Sequence, residues 1–499
     1  MSRPDAPIAS RRTCRATAAA RAAGIIGTAV AALLGPSGCG SGGDHGRGGR
    51  VGSGLAIVSV DLARPGAAVP RSYLGLSIEW DSVLPYTGPP GGRRGALPTL
   101  LASVAGAAGA PLRLRIGGDT ADQMWWNPGR RPRPRGVLQD VGPATADAIA
   151  WLARGLHAPV TLGVNLALGD PGNAVALARA VAQRLPPDGL AAVEVGNEPD
   201  LYTHAHTFRR GGHLHRRLRK RAHYGPDDYR RDVDRFLPRL RSALGPGPRL
   251  VVGGLAGPGW WPALPGLLRH WRGLADVVAG HLYAVPNCAA STPPATWLMS
   301  TEASRGRAQW LSPLIRIARS VRLPLEIDEL NSAACGGRPG LSDTRAGALW
   351  LTDTLFALLA EGAAAADVHT WHGASYAPFA VTAAGDVLPR PPLDGMLTFA
   401  HGAPAGSRLV HAAVRGGTSL RVWATVDATR TARITLLAPE RTAAHIPAGA
   451  AAGARCASLW RAGGKATKSL CPARGRYVVT LPARSLAVIT VPPAGPAPS

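Results

Sequence analysis

The chain has 499 residues, 46% of them apolar, and a formal net charge of +25. That length allows two or three domains with a large core. No GxSxG, HExxH, P-loop or CxxC pattern occurs, which leaves serine-hydrolase, zinc-protease, nucleotide-hydrolysing and thiol-redox chemistry without a motif.

The first 50 residues read as an export segment. Arg11, Arg12, Arg15 and Arg21 precede the apolar run Ala22–Leu34, which is short for a membrane span and suited to a signal sequence. Pro36-Ser37-Gly38-Cys39 resembles a lipoprotein cleavage site, with Cys39 as the lipidated residue and Pro36 where Leu is usual. A Gly/Ser-rich tether, Gly40–Gly54, follows. This segment holds seven Arg and two acids, which leaves +20 on the remainder. Such a surface favours polyanions: acidic polysaccharide, nucleic acid or an anionic envelope. No recognised nucleic-acid-binding motif accompanies the charge. Beyond the signal, no stretch is long and apolar enough to span a bilayer.

After a predicted strand at Leu55–Val60, eight short apolar segments alternate with helical stretches. They are Tyr73–Trp80, Pro111–Gly118, Pro159–Leu168, Ala192–Pro199, Arg249–Gly257, Val277–Val285, Leu323–Ser332 and Asp367–Gly373. Near-continuous apolar runs suit strands buried on both faces. Thr145–Gly155, Asn173–Leu185, Tyr229–Leu244 and Thr344–Glu361 read as crossover helices. The pattern predicts an α/β fold, a (β/α)8 TIM barrel over 67–384. From about residue 385, Ser419–Val426, Ala432–Ala438, Tyr477–Leu481 and Ser485–Val491 read as strands of a C-terminal all-β sandwich. Leu55–Val60 could join it, so 51–66 plus 385–499 form the expected second domain.

Two barrel strands end in glutamate: Glu198 at the tip of the fourth and Glu329 at the tip of the seventh. The ends of barrel strands are where chemistry sits. Paired carboxyls are the usual minimum for glycosidic cleavage, one protonating the leaving oxygen and the other attacking the sugar or activating water. Glu326 and Asp328 share the seventh strand, and buried carboxylates are costly unless paired or functional.

Five segments carry a family resemblance: Gly75-Leu-Ser-Ile-Glu-Trp80, Leu114-Arg-Ile-Gly-Gly-Asp119, Glu194-Val-Gly-Asn-Glu-Pro-Asp-Leu-Tyr202, His281-Leu-Tyr283 and Glu329-Leu-Asn-Ser-Ala-Ala-Cys-Gly-Gly337. With them the chain resembles glycoside hydrolase family 79, the heparanase-like β-glucuronidases, from about residue 51 onward. The resemblance implies a retaining mechanism without cofactor or metal, Glu198 being the acid/base and Glu329 the nucleophile. It implies that Asn197 contacts the sugar 2-hydroxyl and that Tyr283 hydrogen-bonds Glu329. It assigns uronate recognition to the Gly336 and Gly337 N–H groups with the Tyr376 hydroxyl. Glu79 is placed to bind sugar hydroxyls or to form a floor ion pair. At Asp119, a strand-two sugar contact, the family pattern expects a neutral polar residue.

Trp125 and Trp126 could stack on sugar or pack in the core, as could His369 and His372 beside Trp371. The basic run Arg209–Arg221, with seven Arg or Lys in 13 residues, could grip an acidic polymer or be a solvated loop. Of the cysteines outside the export segment, Cys288 and Cys335 follow adjacent strands, and Cys456 and Cys471 lie in the β-region. Two disulfides are expected. The expected protein is thus an exported, envelope-associated or secreted glycosidase acting on acidic oligo- or polysaccharide, touching membrane only through a lipid anchor. The alternatives are another specificity (β-glucosidase, β-xylosidase or endo-glycanase) or a non-catalytic polyanion- or carbohydrate-binding lipoprotein.

Overall fold

The computed structural model describes residues 54–493, apart from 90, 93–94, 205–206, 211–212, 217–221, 287, 289–290, 449–454 and 465. The expected export segment, with Cys14 and Cys39, lies outside the described residues. Of the basic run, only the backbone of a small hairpin, Thr207–Arg210 with His213–Arg216, is described.

Eight parallel strands close into a barrel. They are β1 (Leu74–Glu79), β2 (Arg113–Gly117), β3 (Val160–Val164), β4 (Leu190–Val195), β5 (Arg249–Leu255), β6 (Val277–Val285), β7 (Leu325–Ala333) and β8 (Ala365–Thr370). β8 pairs with β1, and β4 with β5, so the ring is complete. All eight match the predicted segments, because each run is apolar enough to be covered on both faces.

The crossover helices start where backbone chemistry favours it. Pro143–Leu156, Pro171–Ala182 and Pro226–Leu244 each open on proline, whose missing N–H and fixed φ suit the first turn. Asp170 caps the second by accepting the Asn173 N–H at 3.0 Å. Arg345–Glu361 is capped by Thr344 and is buried almost all round. It is covered by a further helix, Pro391–Gly402, which stands where only strands were expected. The Pro391-Pro392 start and buried Leu393, Met396 and Phe399 explain that helix: a proline-nucleated turn with its apolar face on the barrel's outer ring.

The C-terminal region is one continuous nine-stranded sheet curled round a core that includes Val58, Ile434, Ile446, Tyr477 and Ile489. The N-terminal strand Gly54–Ala68 lies inside it, antiparallel to Arg408–Arg415 and parallel to Thr442–Pro447. Sheet and barrel meet at a buried polar knot. Asp353 of the Arg345–Glu361 helix accepts from Arg421 Nη1 at 2.9 Å, Trp423 Nε1 at 2.7 Å, Ser304 Oγ at 2.5 Å and Arg305 Nε at 3.2 Å. Two disulfides form, Cys288–Cys335 and Cys456–Cys471, with Cα separations of 5.6 and 4.0 Å. Among the described residues no helix is long and apolar enough to cross a membrane.

Candidate active site

Glu198 sits in a forced turn at the end of β4. Its own backbone is left-handed, with φ 47° and ψ 53°, a conformation that costs a non-glycine residue about 1 kcal/mol or more. Neighbours hold it there. Gly196 precedes it at φ 80°, and a Cβ on Gly196 would lie 2.9 Å from the Tyr202 hydroxyl and 2.8 Å from Leu166. The Asn197 N–H and the Tyr202 hydroxyl both donate to Asp122 Oδ2, at 3.0 and 2.6 Å, and the Glu198 N–H donates to the Gly254 carbonyl at 2.9 Å. Asp200 then accepts the N–H groups of Ala256 and Gly257. Burial, then the nearby Glu198 carboxylate, pushes Asp200 up to about 6.

Glu329 faces Glu198 from β7. His281, on β6 beside Glu329 in register, stands between them: its Nδ1 is 2.9 Å from Glu198 Oε1 and 4.0 Å from Glu329 Oε2. One oxygen of each glutamate and one His281 nitrogen lie mutually within 4.8 Å. The Tyr283 hydroxyl donates to Glu329 Oε1 at 2.7 Å, and Arg115 Nη1 donates to Oε2 at 3.0 Å. Burial pushes the Glu329 carboxyl up. The charges of His369, His281 and Arg115, with the Tyr283 hydrogen bond, outweigh this and hold it down at about 2. Glu329 is therefore an anion throughout the neutral range, oriented by two donors.

Beneath the glutamates lies a buried charge network. Arg115, fully buried on β2, grips Glu194 through Nε and Nη2 at 2.7 and 3.0 Å, and also donates to Asn197 Oδ1 at 2.8 Å and Ser77 Oγ at 3.0 Å. Asp328 lies 3.5 Å from both Arg115 Nε and His281 Nε2. Burial and the facing Glu194 push the Asp328 carboxyl well up. Glu326 serves the floor, paired with Arg113 and Arg249. Glu194, His281 and Asp328 form a second group with ligand atoms within 4.8 Å. In both groups Arg115 and His281 already compensate the negative charge, so a bound cation would have to compete with them.

His281 itself is shifted. Burial alone would depress it, but Glu329, the Glu198 hydrogen bond and Asp328 raise it from 6.5 to about 9. A raised folded-state pKa gives stability that is complete below about 6.5 and is lost as pH rises through about 9. The destabilisation caused by His281→Gln should therefore be larger at pH 6 than at pH 10. Urea unfolding of both proteins across that range checks this; an equal cost at the two ends contradicts a charged imidazole.

The other predicted residues divide. Glu79, Asp119, Tyr283, Gly336 and Tyr376 line one cavity of about 380 Å³ with both glutamates. Glu79 accepts the N–H groups of Asp119 and Thr120 and the Thr120 hydroxyl, and lies 3.3 Å from His369 Nε2, so it organises the rim as well as facing the cavity. Asp119 Oδ2 accepts from Gln123 at 2.7 Å. Asn197 is buried and lies outside the cavity lining, and its Nδ2 has no acceptor among the described residues. Gly337 lies behind the wall. Its N–H points to the Ala334 carbonyl at 3.4 Å, and a Cβ there would meet the Tyr376 nitrogen at 2.9 Å. Trp125 and Trp126 are buried away from the cavity, Trp125 bonded to Asp140 and Trp126 packed in the core. Their place is taken by Trp371 and Trp310, which line it. His369 also lines it, whereas His372 is bonded to Ser82 outside. The Cys288–Cys335 bridge forms part of the wall.

Arg115, His281, Glu194 and Arg307 were not assigned roles from sequence. For Arg115 the signal was available: two arginines alternate in the apolar strand Arg113-Leu-Arg-Ile116, and inward-facing charges on a barrel strand must be paired.

The fold is that of barrel glycosidases carrying a C-terminal β-region. A 4-O-α-L-rhamnosyl-β-D-glucuronidase from Fusarium oxysporum superposes with a TM-score of 0.68 at 17% identity, covering 87% of this chain and 98% of that one. The GH51 arabinofuranosidase from Xanthomonas axonopodis pv. citri matches at 0.63 and 14%, covering 88% and 100%. CelM2, a bifunctional glucanase-xylanase from a metagenome library, matches at 0.61 and 13%, covering 88% and 99%. No family model and no curated protein sequence matches the chain.

Proposed function

We propose that the protein is a retaining glycoside hydrolase that cleaves β-linked uronic acid from acidic glycans. The observation that carries the reading is the facing pair Glu198 and Glu329, held within 4.8 Å at nearest approach in one cavity and given unlike partners. Retaining enzymes need carboxyl groups about 5–5.5 Å apart, whereas inverting enzymes leave room for water between groups about 6.5–9.5 Å apart. Glu329, anionic and oriented by Tyr283 and Arg115, is the nucleophile. Glu198, mostly buried but reaching the cavity beside His281, is the acid/base. The sugar lies over β7, β8, β1 and β2, where Glu79 and Asp119 offer polar atoms to its hydroxyls; Asn197, past the end of β4, has its Nδ2 left over for the 2-hydroxyl. Its carboxylate meets the Gly336 N–H and the Tyr376 hydroxyl; Gly337 supports this turn from behind. Two disulfides fit an oxidising compartment, in keeping with an exported protein, and lipidation at Cys39 would hold it to the envelope. The barrel supplies the chemistry and the β-region with the N-terminal strand acts as its brace.

The test is kcat/KM for p-nitrophenyl β-glucuronide against the β-glucoside, at one pH and salt concentration, within a wider panel of glycosides. A site with donors built for a carboxylate should favour the glucuronide by about 10²-fold or more, because the neutral sugar leaves those donors unpaired. Tyr376→Phe should narrow the ratio. Equal or better cleavage of the glucoside defeats the uronate assignment, and cleavage of nothing favours a binding protein.

A further inference from the structure

Arg307 has no place in the reading above. It lies on a short helix after β6, half-buried, and lines the cavity together with Trp310, Pro286 and His204. Its Nη2 donates to the Tyr283 carbonyl at 2.9 Å, and its guanidinium lies over the Trp310 ring at 4.8 Å. Trp310 is in turn backed by Trp261, with ring centroids 5.0 Å apart. These contacts fix the guanidinium without neutralising it. Its Nε is buried with no acceptor, and no carboxylate among the described residues lies within 4.0 Å of it. Burial lowers its pKa, and the more distant Glu302 only partly offsets that. An unpaired, partly desolvated guanidinium is costly. Arg115, the buried arginine beneath the catalytic pair, is by contrast tied to carboxylates.

Position says which part of a substrate would meet it. The uronate donors stand at β7 and β8, and Glu198 at β4. The remaining arc of the cavity, formed by the loops after β5 and β6, lies beyond Glu198 from the sugar. That arc must hold the leaving group. It offers an indole face for a ring and a fixed fork of N–H donors for an anion.

We propose that Arg307 and Trp310 form a leaving-group subsite for a ring bearing a carboxylate or sulfate, so that the substrate is charged on both sides of the cleaved bond. The proposal rests on Glu198 and Glu329 being the catalytic pair but not on which sugar is cleaved.

The experiment uses two aryl β-glucuronides of matched leaving-group acidity, one carrying a sulfonate on the aryl ring and one neutral. The wild-type protein should prefer the sulfonate in kcat/KM by about tenfold or more, the size of one charge-assisted contact. In Arg307→Gln the ratio should fall to about one, and Arg307→Lys should restore part of it, since a point charge replaces the fork. Raising the salt should shrink the wild-type preference while leaving the Arg307→Gln ratio flat. A wild-type ratio near one, or a ratio unchanged in Arg307→Gln, overturns the proposal. Should glucuronides resist cleavage while another aryl β-glycoside is cleaved, the uronate reading fails, and the same aglycone pair on the cleaved sugar decides the subsite.

Discussion

Glu329→Gln should lower kcat by about 10⁴-fold or more, the scale seen when a nucleophile is removed from a concerted catalytic unit. Glutamine keeps the shape and can still accept from Tyr283, but it cannot form the glycosyl ester. Glu198→Gln should behave differently. A p-nitrophenolate leaves without much help, so formation of the intermediate survives on activated substrates; an alcohol leaving group needs the proton, so turnover of natural linkages collapses. The contrast between two leaving groups separates the roles, which loss of activity alone does not. Glu329 is held near pKa 2, so the acidic limb of kcat/KM should not come from this residue anywhere above about pH 3. If Glu329→Gln retained wild-type turnover, the nucleophile would lie elsewhere.

The second large effect concerns Arg115. Arg115→Met should destabilise the protein by about 3–5 kcal/mol, the cost of leaving buried charges without their partner. Glu194, Asp328 and Glu329 all face the same guanidinium, and it is fully buried. Adding Glu194→Gln should recover part of the stability, because one of the stranded charges is removed with it. Activity should not return, since Glu329 would still lack its Nη1 donor and Asn197 its anchor. Chemical denaturation of the single and double variants measures this. Additive losses in the double variant would show that Arg115 and Glu194 are not one unit.

Much of this was legible in the chain, for identifiable reasons. The eight barrel strands announce themselves because strands covered on both faces must be apolar throughout, and Val277–Val285 was placed to the residue. Glu198 stands out because it follows the end of such a run, and Glu329 because it is the third acid in another, although its strand continues to Ala333 instead of ending at the glutamate. Contacts between strands were harder. His281 lies beside Glu329 only through the β6–β7 register, which no local pattern encodes. Gly336 and Gly337 look alike in sequence, yet the first lines the cavity and the second lies behind it with its N–H on the Ala334 carbonyl. Trp125 and Trp126 were attractive as sugar platforms, but an aromatic pair states only that large apolar surface must be covered. Pro391–Gly402 was missed because its apolar positions fall in a region dominated by strand-like turns.

The N-terminal strand Gly54–Ala68 carries a consequence for the order of folding. It is the first described element of the chain, and its sheet partners Arg408–Arg415 and Thr442–Pro447 are synthesised more than 300 residues later. Until they arrive, it is an unpaired strand edge with Leu55 and Ile57 exposed even in the finished sheet. Contacts this distant in sequence form slowly. The sheet around this strand therefore assembles late, and a truncation before residue 408 leaves the first segment without either partner strand.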